Sequence, residues 1–505
     1  MAYDSFSEFL TTLERAGELC RIAEPVATEL EITEFADREM KAPGGGRALL
    51  FEKPTVNGVV SKMPLAINTM GSTKRMAMAL GLGHIDELMR KMELILKAKP
   101  PTSLRHAWTL AMQGLDLLNA KPKRVKDGPC KEVVVRLPET GSQPSTLHSQ
   151  LSLPNLPTLL DLPILQCWPK DGGRFITFPC VHTKDPDTGE RNLGMYRMQV
   201  YDERSTGMHW QVHKVGARHG KRYYERGERM PVAVTIGGDP AYTFAATAPL
   251  PDGLDEILFA GFTRGKPVPL VKCETIDLEV PADVDIVLEG YVQPGELRPE
   301  GPFGDHTGFY TPIDEYPVFH ITAITHRRDA VYPCTIVGIP PMEDFYMGTA
   351  SVRIFLPVFR MNFPEIVDMA LPAEGVFHNL VVVSIRKQYA WQAYKIMHGL
   401  WGMGQMMFSK YIIVVDDDCD VHNTSEVLFR LCANTDPQRD STFVKSPCDA
   451  LDHAPSIPCI GTHLGLDATR KLPTEGYPRP WPELVKMDAA VRAKVDALTK
   501  SVGQR

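Results

Sequence analysis

Two β-branched runs constrain the fold of this chain more than any other feature. Leu380–Ile385 reads LVVVSI and Tyr411–Val415 reads YIIVV. Neither alternates apolar with polar residues, so each suits a strand buried on both faces. Gln388–Phe408 between them is long enough for a helix. Strand, helix and strand predict a βαβ unit with parallel strands, and hence a Rossmann-like lobe. No GxGxxG follows either strand, so the lobe need not hold a dinucleotide. Gly402 and Gly404 fall inside the helical stretch, and Asp416–Asp418 close the second strand. Those three acids could hold Mg²⁺ or be a solvated strand end.

The rest of the chain has a different texture. Residues 4–17 predict an amphipathic helix: Ser5 and Glu8 have capping-box spacing, and Phe6, Phe9, Leu10 and Leu13 form one stripe before Gly17. Ala48–Phe51 reads as a short strand. An N-terminal α/β lobe is expected over residues 1–124, ending at Lys121-Pro122-Lys123-Arg124. From 125 to 330 short strands dominate: Val133–Val135, Phe175–Phe178, Val232–Ile236, Val268–Cys273 and Asp285–Tyr291. Asp239-Pro240 predicts one capped helix there, and Asp252 is expected to cap another over Gly253–Phe262. A β-barrel decorated with helices is the natural class for this middle lobe. The third lobe, α/β, spans 331–480, and 481–505 is a terminal segment. Pro482–Val502 predicts a helix with Val491, Val495 and Leu498 on one face, suited to docking on its own chain or a neighbour's.

Composition excludes several function classes. A net charge of −7 over 505 residues provides no basic field for nucleic acid. Ten cysteines without a CxxC pair argue against zinc ribbons and thioredoxin-type chemistry, and for reduced thiols. The acidic start MAYDSFSEFL is no secretory signal, and no apolar stretch approaches the roughly 20 residues that span a bilayer. A cytoplasmic protein is expected, with peripheral contact at a membrane left open.

Polar chemistry concentrates in two stretches. Asn192–His219 holds Asn192, Arg197, His209, Trp210, Gln211, His213, Lys214 and His219. His209 and His213, four apart, share a face of either a helix or a strand, so they could ligate a metal or be ordinary surface histidines. The second stretch, EGPFGDHTGFY over 300–310, sets Glu300 and Asp305 on a loop shaped by Gly301, Pro302 and Gly304. Two acids on a stiff loop suit proton transfer where burial tunes one of them, or are a solvated turn. Glu256 in LPDGLDEILF could serve only the dipole of its helix.

Together these stretches resemble the UbiD-type decarboxylases, most closely the 3-polyprenyl-4-hydroxybenzoate decarboxylases of ubiquinone biosynthesis. The resemblance runs nearly end to end, through LEITEFADR, NLGMYR, APLPDGLDE, DLEVPADVDIVLEGYV, EGPFGDHTGFYTP, FPEIVD, IRKQYAWQA and GLDATRK. It implies a middle lobe built as a split β-barrel of the flavin-reductase kind. The family uses prenylated FMN, a divalent metal (Mn²⁺, or Mg²⁺) and often K⁺. By motif, Asn192 and Glu256 take the metal positions, with His213 as the candidate histidine and His209 competing. Met195, Tyr196, Arg197, His209, Trp210, Gln211, Lys214 and Val215 take the cofactor wall; many members carry Arg in place of His209 and Lys214. Arg197, Glu300 and Asp305 resemble the family's acid–Arg–acid network, with Asp305 at the proton donor's position.

The resemblance implies non-oxidative decarboxylation of a 4-hydroxybenzoate-type aromatic acid, most closely a polyprenylated one. The alternative is reversible (de)carboxylation of another phenolic or polycyclic acid. It further implies dependence on a flavin prenyltransferase and a homo-oligomer, dimer or hexamer. One departure is the Pro/Ser-rich LPETGSQPSTLHSQLSLPNLP, longer than the matching stretch of bacterial relatives.

Overall fold

A helix over Phe6–Arg15 opens the chain in the computed structural model, which describes residues 2–97, 120–137, 158–211, 214–251 and 253–502. Ser5 Oγ accepts the Glu8 N–H at 3.1 Å, and the Glu8 carboxylate accepts the Asp4 N–H at 2.7 Å. The Phe6, Phe9, Leu10 and Leu13 stripe is buried, and Gly17 leaves the helix at a φ of +73°. Leu19–Ala27 then runs parallel to Ala48–Val56, which pairs antiparallel with Leu65–Ile67. The fourth partner, Tyr332–Cys334, arrives from beyond the middle lobe and lies parallel to Leu65–Ile67. The first sheet is therefore closed by residues some 270 positions downstream, which ties the lobes together.

Lys123–Arg124, at the expected lobe boundary, pairs with Pro269–Lys272. The middle lobe is a seven-stranded antiparallel sheet. Its path is Ser205–Gly207, Asp314–His326, Ile286–Glu300, Met230–Ile236, Cys180–Lys184 and Arg191–Met195, with Val133–Arg136 also on Asp314–His326. Val181, Val232, Val234, Leu288, Phe319 and Ile324 fill one core under it. Among the described residues no pairing joins the two ends of this path. The long 136–158 stretch falls largely outside the described residues.

Asp239 caps Pro240–Ala245 as its sequence predicts, accepting the Ala241 N–H at 2.9 Å. The next helix differs from expectation. It spans Glu256–Arg264 and is capped by Asp255, whose carboxylate accepts the Ile257 N–H at 2.8 Å. Asp255 directly precedes the apolar run and takes the cap; Asp252, the expected cap, lies outside the described residues.

In the third lobe Leu380–Ile385 and Tyr411–Asp416 are parallel neighbours, with Ile460–Asp467 parallel beyond them. Ile366–Ala370 and Ser441–Pro447 add antiparallel edges. The crossover helix is shorter than the sequence suggests, covering only Gln392–Trp401. Trp391 adopts a left-handed φ of 66°, and its N–H is held by Glu475 at 2.8 Å, so helical geometry cannot begin earlier. Asp416 accepts the Arg470 N–H at 2.8 Å, and Asp418 pairs with Arg470. These acids are matched by arginine rather than gathered for Mg²⁺. The terminal helix begins at Ala489, not Pro482, because Asp488 caps it through the N–H groups of Ala490 and Val491. Val491, Val495 and Leu498 are about half exposed. All ten cysteines are free. No helix among the described residues is long and apolar enough to cross a membrane.

Candidate active site

The long strand Ile286–Glu300 carries Glu300 to the end of the middle sheet, and Gly301, at a φ of +101°, turns the chain into a loop. A short hairpin of Phe303–Gly304 and Tyr310–Thr311 then presents Asp305 and His306. Facing it, the chain leaves Arg191–Met195 through Tyr196 and Arg197. Arg197 Nε donates to Glu300 Oε1 at 3.0 Å, and Nη2 lies 2.9 Å from the same oxygen. Nη1 pairs with Asp305, and Nη2 donates to Thr311 Oγ1 at 3.1 Å. The guanidinium also sits 4.6 Å from the centroid of the Phe303 ring. All three charged side chains are buried.

The second oxygen of Glu300 lies 2.6 Å from His209 Nδ1. The His209 ring packs on Tyr316 at 4.3 Å between centroids, and its Nε2 is buried with no partner among the described residues. Burial pushes the Glu300 carboxyl up, but the His209 hydrogen bond and the Arg197 charge outweigh it, and the net shift is downward. Asp305 is held far below the usual carboxylate range. Burial opposes this, while His306 and Arg197 prevail. His306 donates through Nδ1 to Asp305 at 2.8 Å, and this bond lifts its own pKa against the effect of burial. The pair therefore stores one proton on the imidazole side.

A second cluster lies on the same strand. Glu256 Oε2 accepts the Leu193 N–H at 3.0 Å, which brings its carboxylate beside Asn192. Asn192 is buried and donates to Thr183 Oγ1 at 3.3 Å; Thr183 also meets His219 Nδ1 at 3.0 Å. His209 and His219 thus answer to different partners, Glu300 and Thr183. His213 lies outside the described residues.

Of the expected cofactor wall, Tyr196 and Trp210 both meet the backbone at Gly216. Met195 packs on the first core, and Tyr196 is buried with its hydroxyl accepting the Gly216 N–H at 3.4 Å. Trp210 is buried, and its Nε1 has no partner among the described residues. A Cβ on Gly216 would sit 2.9 Å from that nitrogen, so only glycine allows this approach. Gln211 accepts the Lys214 N–H at 3.0 Å, and Val215 begins the helix Val215–Arg226. Burial lowers the pKa of Lys214, opposed by the charge of Asp449 from the third lobe.

Sequence reasoning passed over one group here. Among the described residues, His306, His378 and Asp449 each bring a ligand atom within 4.8 Å of the others. Separations of 72 and 71 residues gave no spacing signal; only the His following Asp305 in the loop motif was in view.

The comparisons agree with this layout. Residues 10–94, 141–340 and 345–468 match the N-terminal, Rift-related and C-terminal domains of the UbiD family, described as 3-octaprenyl-4-hydroxybenzoate carboxy-lyase. An uncharacterised protein of Archaeoglobus fulgidus is 47% identical, with 99% of each chain covered. The closed form of vanillic acid decarboxylase from Sedimentibacter hydroxybenzoicus superposes with a TM-score of 0.83 at 26% identity, covering 99% of each chain. The UbiD-class enzyme HmfF from Pelotomaculum thermopropionicum, in complex with FMN, superposes at 0.77 and 26% identity, covering 96% of this chain and 97% of its own. With all three of its lobes matched in order around the buried Arg197 network, this chain belongs to the UbiD family of carboxy-lyases.

Proposed function

We propose that the chain decarboxylates a 4-hydroxybenzoate-type aromatic acid without net oxidation, using prenylated FMN and a divalent metal, Mn²⁺ or Mg²⁺. The observation that carries this reading is the buried Arg197 fork holding Glu300 and Asp305 together.

The residues fit the cofactor. Asn192 and Glu256 would hold the metal through hard oxygen donors, which suit Mn²⁺ or Mg²⁺ beside a phosphate, with His213 as the third candidate. Lys214 adds positive charge for that phosphate. His209 Nε2 and Trp210 Nε1 are buried and unpartnered, and each such atom costs about 1–3 kcal/mol unless a polar group meets it. Met195, Tyr196, Gln211 and Val215 complete the wall.

When bound, prenylated FMN supplies the electron sink for the pair left on the ring carbon as the C–CO₂ bond breaks. The protein's own tasks are positioning and one proton. Arg197 fixes both acids through its rigid fork. Glu300 orients Arg197 on one oxygen and His209 on the other. Asp305 is a carboxylate at rest, so the proton for the ring carbon comes through it from His306, which holds it at Nδ1.

A polyprenylated acid is the first substrate to test, as in ubiquinone biosynthesis. A small phenolic acid is the second reading, favoured by the likeness to a vanillic acid decarboxylase. The half-exposed Val491, Val495 and Leu498 stripe supports self-association. The test is expression with and without a flavin prenyltransferase, followed by CO₂ release from polyprenylated 4-hydroxybenzoate, 4-hydroxybenzoate and vanillic acid. Equal turnover without prenylated FMN overturns the mechanism.

A further inference from the structure

His306, His378 and Asp449 reach one point from separate segments. His306 belongs to the loop after Gly304, His378 to a short turn over Phe377–Asn379, and Asp449 follows the edge strand Ser441–Pro447. The imidazole centroids are 4.8 Å apart, and His378 Nε2 lies 3.5 Å from Asp449 Oδ2. Two of the side chains are held from behind. His306 gives Nδ1–H to Asp305, which leaves Nε2 as the nitrogen free to bind. Asp449 Oδ1 accepts the Leu451 N–H at 2.8 Å, which leaves Oδ2 facing His378. A histidine oriented by a carboxylate on its far nitrogen is the usual support of a metal ligand.

The backbone adds an independent observation. Val376 and Phe377, immediately before His378, have φ values of +50° and +32°. Side chains rarely adopt this region, and a β-branched residue least of all. Such strain persists where surrounding structure enforces it, and it gathers at ligand sites. Here it places the His378 ring against the loop of His306.

We propose that His306, His378 and Asp449 form a divalent-cation site, separate from the cluster of Asn192 and Glu256. Two imidazoles and one carboxylate select Zn²⁺, Co²⁺ or Mn²⁺ over Mg²⁺ and Ca²⁺. Three protein ligands leave positions for water or for a phenolic oxygen. Because His306 is also bonded to Asp305, a cation here would sit one residue from the Arg197 network and link the middle lobe to the third. Lys214, near Asp449, opposes the cation's charge, and Asp305 and Asp344 on the other side favour it.

Co²⁺ titration of the full chain purified without flavin tests the site, read by visible d–d absorption and by metal content. The expected result is a saturable band whose dissociation constant rises at least tenfold in His378→Asn and in Asp449→Asn, and is unchanged in Glu256→Gln. Near-ultraviolet circular dichroism confirms that each variant is folded. His378→Gln, which retains a polar side chain, is the second variant if His378→Asn unfolds. No Co²⁺ band in the wild type, or a band indifferent to both substitutions, overturns the proposal. As flavin is absent throughout, the result stands apart from the fate of the decarboxylase reading.

Discussion

His209 Nδ1 lies 2.6 Å from Glu300 Oε2, while the other oxygen of Glu300 takes both Arg197 contacts. Both oxygens of Glu300 are therefore engaged by protein partners, one by Arg197 and the other by His209.

Glu300→Gln keeps the shape and removes the charge. Arg197 then leans on Asp305 alone, and His209 loses its anionic partner. Turnover should fall by on the order of 10²-fold, the usual cost of misplacing a reacting group. The acid limb of the kcat profile should move as well, a shift that simple loosening of the loop would not produce. Steady-state CO₂ release across pH measures both. A kcat within twofold of wild type would remove Glu300 from the network.

Gly304 matters through contact. A Cβ there would meet the Trp168 ring at 2.2 Å, and that ring is fixed by its Nε1–H to the Val337 carbonyl at 2.8 Å. The Gly304 N–H is itself anchored on Asp171 at 2.8 Å. Gly304→Ala must push Asp305 off its partners, and small misplacements of a reacting group cost on the order of 10²-fold in rate. Turnover should drop by that amount, with Trp168 fluorescence shifted. Unchanged activity would show that the loop tolerates displacement.

Much of this was legible in the sequence, and the limits have physical causes. The β-branched runs at 380–385 and 411–415, with a helical stretch between them, pointed to two parallel neighbours buried on both faces, as found. Arg197, Glu300 and Asp305 came together as their motifs implied. Helix starts were less readable. Trp391 and Asp488 set them through a left-handed backbone and a side-chain cap, which a periodicity count does not register. His378 and Asp449 were invisible because each sits alone in its segment, and only tertiary folding makes them neighbours.

Asp285 gives the chain a pH-dependent stability with a defined sign. It is buried, accepts the Gly238 N–H at 2.7 Å and the Val331 N–H at 3.1 Å, and burial raises its pKa to about 7. Between the unfolded value near 4 and about 7 the folded chain binds the proton and the unfolded chain does not, so stability falls as pH rises through this window. From pH 5 to pH 7 the loss from this group is on the order of 3 kcal/mol, and above that it levels off. Asp285→Asn should flatten the slope of the urea midpoint over the same range. An unaltered slope would mean that Asp285 titrates normally in the fold.

Glu256 supplies the last prediction. Its Oε2 accepts the Leu193 N–H, so the carboxylate is oriented by the strand that carries Asn192. Glu256→Gln retains an acceptor for that N–H and leaves Asn192 in place, but it removes the negative charge a divalent cation requires. Loss of one anionic oxygen ligand should cut the metal retained with the flavin by at least about tenfold, in the range seen when metal-site support is removed. The protein should purify with less flavin for the same reason, while its urea midpoint stays near wild type because the Leu193 hydrogen bond survives. Metal content by mass spectrometry and the flavin-to-protein absorbance ratio read the two effects together. If Glu256→Gln retains metal and flavin at wild-type levels, the cation is held elsewhere, and the Asn192–Glu256 cluster only braces the helix against its strand.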